Sequence, residues 1–346
     1  MGCNINTLVP GTPMAPLGGI VRYQESSQRI VGLIAALAVI FGCAGPNSQP
    51  EVTSTYESAP PAPMPDTLVT AEWLGEHLDD PNLVVLDCTV SVQQGENGLV
   101  IESGRAGYDA GHIPTAGFAD LMGQLADADG PYMYSVPSPE EFAAAMGALG
   151  VGDDTRVVLY DAGMSVWAAR VWWMLRWVGF ERAAILDGGL GAWTAEGRPL
   201  STEPADRPTR KLTPAPRPEL IVDRDDVFAA IDDEAVTLID VMPEPHFRGE
   251  MTMYARPGHI PTAKNVSVMS LLDESGRYRQ QEELAALFDD DVDARIITYC
   301  GGGIAASSTA FVMTRLGYSD IAVYTGSLQE WAADPANPME VDAAAK

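Results

Sequence analysis

The hexapeptide Gly-His-Ile-Pro-Thr-Ala occurs twice, at Gly111–Ala116 and at Gly258–Ala263. Two further segments echo in the same order. Val-Val-Leu-Tyr-Asp-Ala-Gly (157–163) returns as Ile-Ile-Thr-Tyr-Cys-Gly-Gly (296–302), and Leu-Asp-Gly-Gly-Leu-Gly-Ala-Trp (186–193) returns as Tyr-Thr-Gly-Ser-Leu-Gln-Glu-Trp (324–331). Three ordered echoes imply a duplicated domain, so the chain must fold as two copies of one architecture. In this alignment Asp161 stands where the second copy has Cys300. A carboxylate lacks the nucleophilic reactivity of a thiol, so the first copy reads as a scaffold forming one wall of a site in the second.

Both copies alternate short apolar strands with helical stretches. Leu83–Cys88, Val157–Asp161 and Ala183–Asp187 read as strands of the first, with helices at Pro139–Gly150 and Ser165–Val178. Thr237–Val241, Arg295–Tyr299 and Ile321–Tyr324 read as strands of the second, with helices at Gln281–Phe288 and Ala305–Leu316. Continuous apolar strands between helices predict an α/β fold in which each copy is a small parallel sheet covered by helices on both faces. The expected boundaries are 67–199 for the first domain and 220–340 for the second. Between them, 200–219 carries five prolines and reads as a semi-extended linker.

Cys300 ends the strand Arg295–Tyr299 and is followed by Gly301, Gly302 and Gly303, then by Ile304, Ala305 and a small-residue helix. A cysteine at a strand-to-helix turn meets backbone N–H groups and the positive end of a helix dipole, and both favour thiolate over thiol. The glycines let the backbone curl around whatever the sulfur carries. A phosphatase loop would need an arginine six residues after the cysteine, and Ala306 stands there. A binding module without catalysis would more naturally have lost the cysteine, as the first copy has.

With these residues in view, the sequence resembles the tandem-domain rhodanese family of sulfurtransferases over about residues 67–338. Tyr108-Asp-Ala-Gly-His-Ile-Pro resembles the first family signature, with Thr115 where glycine is usual. Tyr324-Thr-Gly-Ser-Leu-Gln-Glu-Trp resembles the closing one, with Leu328 where an aromatic is usual; Arg170-Val-Trp-Trp and Leu186-Asp-Gly-Gly-Leu resemble the inactive first domain. The loop Cys300-Gly301-Gly302-Gly303 is similar to the mercaptopyruvate group, with Gly302 replacing its serine or threonine, and lacks the cations of the thiosulfate group. The resemblance implies two donor-binding arginines in the second domain. One falls near Arg256; the other falls at His246, where Arg248 is the nearest substitute. It also places the first-domain histidine, His112, close to the active site.

The implied chemistry runs through a persulfide on Cys300, formed from a small anionic donor, 3-mercaptopyruvate ahead of thiosulfate. The sulfur then passes to cyanide, a thiol or a thioredoxin-like protein. The alternative of another class is a sulfur carrier or binding module without turnover. No cofactor is expected, and no metal-ligand spacing occurs. His259 reads as a structural residue fixing its turn. Cys88 reads as a small buried residue, and Trp167, Trp172, Trp173 and Trp177 as core or domain-interface aromatics.

The first 66 residues read as an address. Val31–Phe41 is an apolar run of 11 residues preceded by Arg22 and Arg29 and followed by Gly42-Cys43. It is too short for a membrane span and resembles a secretory signal, 1–43, ending at a lipidated Cys43, with 44–66 as a tether. The expected location is the periplasmic face of a bacterial membrane, with lipid contact only through that anchor; the alternative is the cytoplasm. A net charge of −27 argues against nucleic-acid partners.

Overall fold

The computed structural model describes residues 64–95 and 98–342. The expected signal segment, Cys43 and the tether up to residue 63 lie outside the described residues. The first copy contains β1 (Leu68–Val69), α1 (Ala71–His77), β2 (Leu83–Asp87), a hairpin of β3 (Val90–Gly95) and β4 (Gly98–Ser103), α2 (Arg105–Ala110), β5 (Gly117–Phe118), α3 (Pro139–Ala148), β6 (Arg156–Tyr160), α4 (Val166–Trp177), β7 (Ala183–Leu186) and α5 (Gly189–Ala195). The second contains β8 (Ile221–Val222), α6 (Arg224–Ile231), β9 (Val236–Asp240), α7 (Glu244–Phe247), β10 (Lys264–Asn265), α8 (Gln281–Ala285), β11 (Arg295–Tyr299), α9 (Ile304–Arg315), β12 (Asp320–Tyr324) and α10 (Ser327–Trp331).

Each copy builds a five-stranded parallel sheet. The strand orders are β1-β7-β6-β2-β5 and, read from the matching edge, β8-β12-β11-β9-β10, so the copies share one topology. Every residue of β2 and β6 is buried, as continuous apolar runs between two helical layers require. The expected fold class is therefore observed. The sequence reading had no element between Cys88 and the first His-Ile-Pro turn, where β3 and β4 pair antiparallel outside the main sheet. The helix expected to reach Phe288 ends as α-helix at Ala285 and continues as tighter turns. Leu287 and Phe288 donate to the carbonyls three residues back, and Phe288 packs edge-on against Tyr318.

The two copies meet through α4 and α9. Trp172 of α4 stands edge-to-face on Phe311 of α9 with ring centroids 4.9 Å apart, and one buried apolar cluster runs through both copies. Polar ties flank this seam: the Tyr278 amide donates to Asp187 at 2.9 Å, and Arg315 donates to the Thr67 hydroxyl at 2.8 Å. The linker lies strapped along the first copy, where Arg210 donates to the Gly147 carbonyl, Ala215 to Val178 and Arg217 to Trp177.

The repeated Gly-His-Ile-Pro-Thr-Ala turn has the same geometry twice. Thr115 and Thr262 adopt positive φ of 69° and 66°. A β-branched residue is strained there, which explains why glycine is usual at this position in similar sequences. Thr262 is exposed and makes no side-chain hydrogen bond among the described residues. Thr262→Gly should therefore raise the stability of the protein by about 0.5–1 kcal/mol, relief of strain outweighing the added freedom of the unfolded chain. Chemical denaturation of both proteins checks this, and a lower midpoint for the glycine variant would contradict the strain argument.

Candidate active site

Cys300 follows β11 directly, where the sheet hands the chain to the Gly301–Gly303 loop and α9, and it is 3 % exposed. The closing motif braces this turn. The Cys300 amide donates to the Ser327 hydroxyl at 3.2 Å, which in turn donates to the Tyr324 carbonyl at 2.7 Å. Leu328 and Gln329 donate their amides to the Cys300 and Gly301 carbonyls at 3.0 and 2.9 Å. Two loop glycines are required by their surroundings. Gly303 has φ of 76°, and a side chain on Gly301 would collide with the Tyr254 hydroxyl. The amides of Gly301, Gly302, Gly303, Ile304 and Ala305 make no hydrogen bond among the described residues.

The first copy shows what such a loop is shaped to hold. The Asp161 carboxylate, fully buried, accepts the amides of Gly163 and Ser165 on one oxygen at 2.8 and 3.0 Å. On the other it accepts those of Trp167 and Ala168 at 3.0 and 3.1 Å. Burial pushes its pKa up, while the four amides act to hold it down. Leu190 braces the Asp161 carbonyl at 3.0 Å as Leu328 braces that of Cys300. The same strand–loop–helix cradle thus occurs twice, closed by its own carboxylate in one copy and presenting a thiol in the other.

Three further polar groups gather at the Cys300 loop. Arg170, on α4 of the first copy, is 1 % exposed; it donates to the Gly303 carbonyl at 3.3 Å and to the Tyr134 carbonyl at 3.1 Å. Tyr254 lies over Gly301, and burial, with the negative charge of a Cys300 thiolate nearby, drives its phenol pKa up, so it stays a proton donor. Burial raises the Tyr134 phenol to about 12. None of the three had been assigned a site role from the sequence. Arg170 did carry a signal, as a charged residue inside the otherwise apolar and aromatic stretch Val166–Trp173; Tyr254 and Tyr134 sit on irregular segments and carried none.

The residues expected to bind the donor are placed differently. Arg256 is a clamp: it donates to the carbonyls of Ala332, Asn337, Trp331 and Asp334 at 2.6–3.0 Å. Releasing four charge-assisted bonds, each worth about 1.5–3 kcal/mol, costs more than one carboxylate contact returns. In this structure the Arg256 guanidinium is thus engaged on the backbone of 331–337. Arg248 is exposed and pairs with Glu244 and, at 3.8 Å, with Asp342. His246 is half-buried on α7 beside it. His112 is fully buried, stacked on Tyr108, its ring nitrogens facing the Tyr108 and Glu203 carbonyls at 2.8 and 3.0 Å, contacts that fix its turn. His259 is stacked on Phe247 and bonds its carbonyl at 2.7 Å. Cys88 is fully buried, and burial pushes its thiol pKa well up. Among the described residues no group of His, Cys, Asp and Glu is arranged to hold a metal ion.

Two copies of one α/β cradle, one with a cysteine at its mouth, define a class that comparison with known proteins makes specific. The Rhodanese-like domain family matches residues 70–196 and 223–334. The chain belongs to the rhodanese family, and it is a sulfurtransferase. It is 34 % identical to the 3-mercaptopyruvate sulfurtransferase of Escherichia coli, over 79 % of this chain and 97 % of that one. It is 32 % identical to thiosulfate/3-mercaptopyruvate sulfurtransferase 2 of Arabidopsis thaliana, over 91 % and 97 %. The crystal structure of SseA from Escherichia coli, described as a 3-mercaptopyruvate sulfotransferase, superposes with a TM-score of 0.68, covering 75 % of this chain and 98 % of that one.

One buried acid beside the site sets a pH dependence. Asp240 ends β9; one carboxylate oxygen accepts the Met242 amide at 2.8 Å, the other has no hydrogen-bond partner within bonding distance among the described residues, and burial pushes its pKa up to about 7 against the opposing pull of the Met242 amide and the Tyr299 hydroxyl. A group whose folded pKa exceeds its unfolded one stabilises the fold most below the unfolded value and loses that contribution as pH rises through the folded one. The unfolding free energy should fall from pH 6 to pH 8, and Asp240→Asn should flatten that slope. Urea denaturation across this range checks it; an equal slope in the variant would exonerate Asp240.

Proposed function

We propose that Cys300 carries the transferred sulfur and that the donor is 3-mercaptopyruvate. The single observation that carries the reading is the unengaged row of amides from Gly301 to Ala305, against the Asp161 carboxylate that fills the matching cradle of the first copy. An anion of about that size, the terminal sulfur of a persulfide, satisfies the second cradle as Asp161 satisfies the first.

In the first half-reaction the Cys300 thiolate attacks the sulfur of 3-mercaptopyruvate. The S–S bond forms, the S–C bond breaks, and the carbon leaves as the enolate of pyruvate. The proton on the transferred sulfur ends on that enolate, giving pyruvate and an anionic persulfide. The Tyr254 hydroxyl, held above Gly301, is the phenol available to relay it, in place of the loop hydroxyl that Gly302 removes. In the second half-reaction an acceptor such as cyanide attacks the outer sulfur, and Cys300 departs as thiolate. A small thiol or a thioredoxin-like protein serves the same step.

Arg248 and His246 are the groups for the donor's carboxylate. The ion pairs of Arg248 lie at the surface, where such pairs are worth at most about 1 kcal/mol, so exchanging them for a substrate carboxylate is inexpensive. The loop itself offers no cation to a thiosulfate dianion. Thiosulfate is the second reading, and the observation favouring it is the buried Arg170 beneath Gly303.

Cys300→Ser should abolish sulfur transfer while leaving the fold intact, and wild type treated with donor should gain roughly 32 Da on Cys300 by peptide mass spectrometry. Sulfur on Cys88 instead, or turnover by the serine variant, would defeat the assignment. With cyanide as acceptor, kcat/KM for 3-mercaptopyruvate should exceed that for thiosulfate at least about tenfold, the worth of one charge-assisted contact. The reverse preference would move the function to the second reading.

A further inference from the structure

Arg170 takes no part in the persulfide chemistry or the carboxylate-binding groups of the favoured reading. Its guanidinium comes from the copy without a thiol, crosses the seam on α4 and ends beneath the loop of the other copy. It is 1 % exposed, its Nε makes no hydrogen bond among the described residues, and its two bonds go to neutral carbonyls. A buried cation is ordinarily matched by a carboxylate, because desolvation of an unpaired charge costs several kcal/mol. Among the described residues no carboxylate acts on it, and the one group whose negative charge does so is Cys300 as thiolate. Desolvation lowers the Arg170 pKa to about 10, which leaves it charged at neutral pH. Trp173, whose ring centroid lies 5.1 Å from the guanidinium carbon, offers the only aromatic face recorded for it among the described residues.

We propose that Arg170 is a positioning residue of the second copy's site: its charge holds the thiolate, and then the persulfide anion, in the Gly301–Ala305 cradle, so that the first copy supplies the cation the loop lacks. This rests on Cys300 being the sulfur-carrying residue. The other titratable groups around the loop do not supply that charge. Tyr134 and Tyr254 stay neutral, Asp240 carries a raised pKa, and Glu330 is bound to the Tyr324 hydroxyl at 2.8 Å. The clamped Arg256 is fixed on the carbonyls of 331–337.

The test reads the field at the sulfur with two alkylating reagents of nearly one size, anionic iodoacetate and neutral iodoacetamide, both about as small as the donor. The ratio of their rates at Cys300, followed by peptide mass spectrometry, reports local charge and is insensitive to how often the site opens. In the full-length wild type the ratio should exceed that of N-acetylcysteine amide, against the −27 net charge of the chain. In Arg170→Gln it should fall about tenfold or more, the effect of one unit charge several ångströms away in a medium of intermediate dielectric. Arg170→Lys, which keeps the charge but cannot bridge both carbonyls, should retain the wild-type ratio within about threefold and retain persulfide formation. A residue that merely packed would give the opposite pattern: truncation to Gln would open the site and speed both reagents alike. An unchanged ratio in Arg170→Gln would overturn the proposal. So would a wild-type ratio below that of the model thiol, which needs no variant to fold. Failure of the persulfide reading is seen separately, as wild type that gains no sulfur on Cys300 from the donor.

Discussion

The packing of α4 against α9 is the contact on which the rest of the molecule depends. Each helix begins at the loop that follows the central strand of its own sheet, so pairing them brings two strand–loop–helix turns to one seam. Trp172 and Phe311 make the centre of that contact edge-to-face, a geometry worth about 0.5–1.5 kcal/mol beyond the area it buries. The consequence for chemistry is positional. A side chain near the middle of α4 can reach the loop that opens α9, and Arg170 does so. Without the duplication, no residue of the first copy would stand beneath Cys300.

Duplication also lets one molecule display the same cradle in two conditions. In the first, four amides converge on the Asp161 carboxylate, which satisfies a set of donors that would otherwise be left unpaired in the interior. In the second, the thiol leaves its row of amides unengaged. The strain at Ser327, with φ of 48°, belongs to the same economy of form: Gly189 occupies that place in the first copy with φ of 53°, and the serine accepts the conformation while bracing the Cys300 amide.

Much of this was legible in the sequence, because the signals were periodic or covalently local. The strands around Val157–Tyr160 and Arg295–Tyr299 announced themselves as apolar runs, and Cys300 with its glycines announced a strand-to-helix turn. The echoes at His112 and His259 gave the two-copy topology before any contact was known. What escaped was what depends on long-range closure. The edge strands Leu68–Val69 and Ile221–Val222 are two residues each, too short for any pattern to register. Arg256 carried the charge and motif context of a donor-binding residue, yet the segment 331–337 folds back and takes all its bonds, a contact between residues about 80 apart in the chain that no local spacing reveals. Tyr254 and Tyr134 reach the site from irregular segments, where sequence offers no period to follow.

The linker's attachment along the first copy has a meaning for how the chain is born. Synthesis runs from the N-terminus, so Arg210, Ala215 and Arg217 emerge and fasten onto Gly147, Val178 and Trp177 before α9 exists. The first copy can then close its own sheet, but the flank of α4 that carries Trp172 and Arg170 lacks its contacts with Phe311 and Gly303 until about 90 further residues have been made. At typical elongation rates that is roughly 5–20 s during which an aromatic face and a guanidinium wait for the helix that covers them. The partner that finally covers them is tethered to the same polypeptide, so the pairing needs no encounter between molecules, and its timing is set by the ribosome.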